Sequence, residues 1–122
     1  MGTWGSGNFD SDTAADHLSS LTARLVREIE DAMSGDPVEL EADEYWGVAV
    51  PCNLEILNVL ATQHWVGVTL PEAATVESWK ATYLAAWDAS IDDLEPSPEF
   101  KTQRRATLVS TFDQLTEAIR AK

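Results

Sequence analysis

The sequence predicts an all-α fold: a single-domain irregular bundle of about four helices, with a Gly/Trp-rich N-terminal arm packed on it. Three observations carry this. Apolar residues recur at three- and four-residue steps through 14–32, 76–94 and 108–119. Stop signals separate these stretches, Ser34-Gly35-Asp36-Pro37 after the first and Glu95-Pro96 after the second. The alternating run Val66, Val68, Leu70 has no clear second strand to pair with. At 122 residues and 44% hydrophobic content, residues 1–122 make one domain with ample material for a core.

The first seventeen residues are the least ordinary. Gly2, Gly5 and Gly7 permit positive φ and a tight turn between Trp4 and Phe9. The two rings then serve as anchors for the terminus, so Trp4→Ala is expected to cost a few kcal/mol, roughly that of a lost buried aromatic. Asp10 is the preferred N-cap of the first helix and Asp12 the alternative, because a carboxylate there accepts a backbone N–H and suits the positive helix end.

The first helix is expected over Ser11–Met33, with Ala14, Leu18, Leu21, Leu25, Ile29 and Ala32 on one face. Arg24–Glu28 and Arg27–Asp31 form i,i+4 pairs off that face. Gly35 is suited to cap its end in the left-handed conformation, with Pro37 beyond. The following segment is acid-rich and solvated. A second helix is expected from near Glu41 to about Thr62. Pro51 lacks an N–H and crowds the carbonyl of residue 47, which is Gly and softens the clash. A kinked helix is preferred over a short extended piece followed by a helix from Pro51.

Residues 62–71 are expected to be an apolar loop packed on the helices, and Pro71-Glu72-Ala73-Ala74 a single helical turn. The third helix is expected over Val76–Leu94 with Thr75 as N-cap. Its stripe is Val76, Trp79, Tyr83, Leu84, Trp87, Ile91 and Leu94. Ser97 as cap with Pro98 at the first helical position starts the fourth, which carries Leu108, Phe112, Leu115 and Ile119 through to Ala121.

The opening run MGTWGSGNFDSDTAAD resembles the N-terminal signature of a bacterial family of small proteins, a domain of unknown function. The matching positions are Met1, Gly2, Thr3, Trp4, Gly5, Gly7, Phe9, Asp10, Asp12, Ala14 and Asp16. Ser11 stands where the family usually has an amide or acid. The resemblance implies a mostly helical, cytoplasmic bacterial protein and brings no activity with it.

The net charge is −13, and its distribution is uneven. From Glu28 to Trp79 there are eleven acids and no Lys or Arg, while Lys101, Arg104, Arg105, Arg120 and Lys122 lie near the C-terminus. Such a field disfavours nucleic acid and favours a basic protein partner. Glu39, Glu41, Asp43, Glu44, Asp88 and Asp92 are the candidate partner-binding acids. A run of eighteen apolar residues is absent, as is a basic segment followed by an apolar one, so membrane insertion and a cleaved signal are not expected and the cytoplasm is the expected compartment.

Candidate chemistry is sparse, and no metal or cofactor is assigned. Asn8–Thr13 begins like a calcium loop, but Thr13 and Ser19 occupy the places that need Gly and a bidentate Glu. The glycines before the first helix lack the preceding strand and following Lys of a phosphate cradle. Met1-Gly2 with Ser6 matches a myristoylation pattern, yet no polybasic stretch supports anchoring. Cys52, the lone cysteine, excludes an internal disulfide and is expected to be buried and inert. Asp88 and Asp92 with Glu44 would bind a divalent ion only if their helices faced each other.

Three functions follow as expectations. The first is a protein–protein interaction module, an inhibitor or immunity-type partner of a basic protein. The second is a metal- or small-molecule-dependent enzyme with a site near Asp12, Asp16 and His17. The third is a homo-oligomer subunit joined by an aromatic patch such as Trp79 and Trp87. The motif residues Trp4, Gly5, Gly7, Phe9, Asp10, Asp12, Asp16 and His17 are assigned a structural role first and a site role second.

Overall fold

The computed structural model describes residues 2–35 and 37–122; Asp36, within the expected stop signal, lies outside them. Four helices follow in order: α1 (Asp12–Ser34), α2 (Tyr45–Thr62), α3 (Ala73–Ser90) and α4 (Pro98–Arg120). Single 3-10 turns occupy Pro37–Leu40 and Ile91–Leu94. The all-α bundle expected from periodicity is what forms. α2 lies at its centre, packed against α1 on one side and α4 on another, and α3 lies along α4. Among the described residues the only β pairing is an isolated antiparallel bridge between Thr3 and Ser11.

The N-terminal arm closes on itself. The Trp4 amide donates to the Asp10 carbonyl at 2.9 Å and the Asp12 amide to the Gly2 carbonyl. Two expectations for this stretch are corrected. The N-cap of α1 is Ser11, whose hydroxyl accepts from the Ala14 amide at 3.2 Å, not Asp10 or Asp12. Asp10 is used inside the arm instead, taking the Gly7 amide at 2.9 Å. Trp4 is also not an anchor, being 50% exposed. Phe9 holds the arm, stacked on Trp65 of the 63–72 loop with centroids 4.1 Å apart. A second aromatic partner far along the chain decides this, and no local pattern reports it.

That loop is tied to α1 by polar groups. The Ser19 hydroxyl donates to the Gly67 carbonyl at 2.6 Å, and Thr22, fully buried, accepts the Thr69 amide at 3.1 Å while donating to the Leu18 carbonyl. Gly67 has φ 106°, and a Cβ there would lie 2.3 Å from the Ala15 carbonyl oxygen. Positive φ in the described glycines is used here and not in the arm, nor at Gly35, which ends α1 in an extended conformation and not as the expected left-handed cap. Thr22 is turned inward beside Leu18, Ile29 and Ala32 of the expected stripe, with Leu25 partly buried, and Leu21 is left exposed.

α2 runs unbroken through Pro51. Pro51 cannot donate to the carbonyl of Gly47, so that acceptor would be orphaned in a buried helix. The Tyr83 hydroxyl of α3 donates to it at 2.5 Å. Burial pushes the Tyr83 phenol up to about 12, an effect Arg104 opposes. The helix begins at Tyr45 and not near Glu41, because residues 41–44 turn back over its first turn. A Cβ at Gly47 would meet the Glu41 carbonyl, so only glycine allows this approach. The turn is pinned to α3 by the Ala42 amide, which donates to Ser90 Oγ at 3.1 Å.

α3 begins at Ala73, absorbing the expected isolated turn, and Thr75 is not its cap. It ends at Ser90, whose hydroxyl donates back to the Ala86 carbonyl at 2.9 Å. Such back-bonding competes with regular helix geometry, and the chain tightens into the 3-10 turn that keeps Ile91 buried. α4 starts as expected, with Ser97 accepting from the Phe100 amide and Pro98 at the first turn. Trp79, Tyr83 and Trp87 of α3 join Val50, Leu54 and Leu57 of α2 and Leu108, Phe112 and Leu115 of α4 in one core.

Candidate functional site

The feature that stands apart is the outer face of α2. Its sequence, Tyr45 to Thr62, contains one charged residue, Glu55. A helix apolar on all sides belongs in an interior. Here only one side is buried, through Gly47, Val50, Pro51, Leu54, Leu57 and Ala61. On the other side Tyr45 is 73% exposed, Val48 52%, Ile56 46% and Val59 51%.

Shallow depressions run along this face. One of 510 Å³ is lined by Asp43, Glu44, Tyr45, Val48, Ala49, Cys52 and Asn53. Another of 170 Å³ lies at Glu55, Ile56, Val59 and Leu60. A third, of 420 Å³, is the furrow between α1 and α2, walled by Leu18, Leu21, Leu25, Ile56 and Leu60, with Phe9 of the arm, Arg24 and Glu28. Glu28 is braced by Asn53 Nδ2 at 3.2 Å and by Arg24 at 3.5 Å, the expected i,i+4 pair. The larger depression of 950 Å³ is lined by α4 alone and has no opposing wall.

Acids gather at the N-terminal end of the face. Glu41, Asp43 and Glu44 each place a carboxylate oxygen within 4.8 Å of the others, the one such group of acids, imidazoles or thiols among the described residues. Carboxylates are stabilised at the positive end of a helix, which accounts for their position ahead of α2. Carboxylate oxygens are ligands for hard cations such as calcium or magnesium. Glu39, in the preceding 3-10 turn, is exposed.

The remaining predicted residues are placed elsewhere. Asp88 and Asp92 are each paired with a base of α4 and are not clustered with Glu41, Asp43 and Glu44. Arg105 grips Asp88 through two hydrogen bonds of 2.9 Å, and Lys101 reaches Asp92 at 2.7 Å. Hydrogen bonding to Arg105 holds the Asp88 carboxyl below its usual value, against a smaller opposing effect of burial. Asp12, Asp16 and His17 are all exposed on the first turns of α1 and are not drawn into a cluster. Gly5 and Gly7 lie against the Asp10 carboxylate inside the arm. Cys52 is exposed, contrary to expectation, because Pro51 and Asn53 take the inward positions beside it. Trp79 and Trp87 are 5% and 2% exposed, so they build the core and offer no aromatic patch for oligomerisation.

The family model for the domain of unknown function DUF4259 matches residues 2–120. The chain belongs to this family. No curated protein and no solved structure matches it. The match spans arm and helices together, so this DUF4259 chain carries the family's domain along nearly its whole length.

Sequence reasoning missed the exposed stripe of this DUF4259 domain, although a signal was present. Eighteen residues with one charge leave only a narrow polar strip, Glu55, Asn58 and Thr62, for solvent. The exposed sides of Leu21 and Ile56 follow from the inward turn of Thr22 and from the packing of α2 on α4, which local spacing does not report.

Proposed function

We propose that this protein is a cytoplasmic protein–protein interaction module that engages a basic partner, in the manner of an inhibitor or immunity-type protein. The observation that carries the reading is the stretch from Glu28 to Trp79, with eleven acids and no Lys or Arg. Its acids flank exposed apolar side chains of α2, a combination suited to recognition. Opposite charge speeds encounter and rejects acidic competitors, while the apolar contacts hold the complex. Bases that would cancel this field lie mainly on α4, where Lys101, Arg105 and Arg120 are paired with acids of the α3 region.

The test is affinity capture with the full chain at low and high ionic strength, followed by reconstitution with the purified captured protein. The expected partner is basic, binds more weakly as salt rises, and loses about tenfold or more in affinity to a Glu41→Lys, Asp43→Lys, Glu44→Lys variant. A partner that is acidic, or that binds equally well at high salt, sinks the proposal.

A further inference from the structure

The outer face of α2 has the dimensions of a helix seat. Tyr45, Val48, Cys52, Ile56 and Val59 recur at three- and four-residue steps, so they fall within an arc of about 80° and a length of about 21 Å. Four of them are the exposed apolar residues of α2, and Cys52 lies exposed between them. The furrow beside them, toward α1, has Leu21 and Leu25 as its far wall and Phe9 among its lining residues. A straight apolar stripe with a parallel furrow receives an amphipathic helix, whose side chains at i, i+3, i+4 and i+7 fill the depressions.

The rim gives the charge of the occupant. Asp43, Glu44, Glu55 and Glu28 line the depressions, and Arg24 is the one base among the lining residues, already paired to Glu28. A second copy of this chain would bring an equally acidic rim against this one, at a net charge of −13 per chain. It would also find Lys101, Arg105 and Arg120 of α4 engaged with Asp92, Asp88 and Glu77.

We infer that the outer face of α2 seats a basic amphipathic helix of a partner protein, its apolar stripe on Val48, Ile56 and Val59 and its cationic residues on Asp43, Glu44 and Glu55. This rests on the interaction-module reading and names its site and ligand chemistry.

The probe is a labelled synthetic helix of about 20 residues, with Leu along one seam and Lys and Arg on both flanks, titrated with the full chain by fluorescence anisotropy. Two controls share its length: a shuffled peptide of the same composition without the seam, and one with Glu replacing the bases. Binding to the basic amphipathic peptide is expected, weakened about tenfold or more by shuffling and abolished by the Glu version. Ile56→Asp with Val59→Asp is expected to lose about tenfold or more, and Asp43→Asn with Glu44→Gln and Glu55→Gln to lower both affinity and salt dependence. Circular dichroism melts identify any variant that unfolds, and Val48→Asp then replaces it.

Failure of the basic peptide to bind, equal binding of the shuffled peptide, or indifference to both Ile56→Asp/Val59→Asp and Val48→Asp overturns the seat. Each of those leaves salt-sensitive capture of a basic protein standing, so the two readings fail separately. A dimer in sedimentation equilibrium that Val48→Asp dissociates makes a second copy the occupant, and also overturns it.

Discussion

The α3–α4 side of the bundle and the α1–α2 side are built from similar helices and finished in opposite ways. Along α3–α4, Glu77–Arg120, Lys80–Asp113, Asp88–Arg105 and Asp92–Lys101 form an antiparallel ladder of ion pairs. On that side four acids each have a base opposite them on the neighbouring helix or turn. Along α1–α2, Leu21, Ile56 and Val59 stand exposed beside Glu28, Glu55 and the 41–44 acids, with Arg24 the one lining base. The lesson is that a net charge describes a surface poorly. Internal pairing consumes much of the positive charge on one side, and the excess of acid is left where the surface is also apolar.

The largest effect that tests this contrast compares two residues of α2 separated by half a turn. Leu54 is fully buried and Ile56 is 46% exposed. Leu54→Ala is expected to cost about 2–5 kcal/mol in denaturant unfolding, and Ile56→Ala less than about 1 kcal/mol. Equal losses would mean that the outer face of α2 is buried in solution.

Next is the hydrogen bond that lets Pro51 sit inside α2. Tyr83→Phe leaves the Gly47 carbonyl unpaired and is expected to cost about 1–3 kcal/mol. With Pro51→Ala present, residue 51 supplies the missing N–H, and the cost of Tyr83→Phe should shrink. A double-mutant cycle measures this coupling, and additivity would contradict the assignment. The same phenol sets an alkaline limit. Its value is raised to about 12 in the fold, so the unfolded chain releases this proton first as pH climbs. Its contribution is complete below the ordinary value of about 10 and is lost as pH rises through about 12, a fall that Tyr83→Phe should flatten.

A smaller effect separates the two arm aromatics. Phe9→Ala breaks the stack on Trp65 and should cost about 1–2 kcal/mol, whereas half-exposed Trp4→Ala should stay within about 0.5 kcal/mol. If Trp4→Ala leaves the melting temperature alone but weakens a partner, the arm belongs to the binding surface.

The smallest effect lies on the ion-paired side. Arg105→Ala breaks an exposed pair and should lower Tm by no more than about 2 °C, less in high salt. Asp88 is held below its usual value, so its contribution is present above the ordinary carboxylate value near 3.9 and is lost as pH falls through the lower folded value. The acid limb of a thermal-stability profile should show this in the native chain and not in Arg105→Ala.

Much was legible from residues alone, because it depends on neighbours along the chain. Helical period specified the fold class and placed α1 and α4 to within a residue or two. Ser97-Pro98 marked the start of α4, since a cap and a first-turn proline act within one turn. The run of acids without bases is likewise a property of sequence.

Tertiary structure decided what depends on partners distant in the chain. Ser11 caps α1 because the arm folds back and employs Asp10 within itself. Pro51 is accommodated because Tyr83, from another helix, replaces the lost donor. The 41–44 turn leaves the helix because glycine at 47 lets backbone approach backbone. Asp88 and Asp92 meet their bases on α4, and α2 keeps an apolar face in solvent because its neighbours cover only the other. Periodicity tells which residues share a face, but which face is covered is settled by what packs against it.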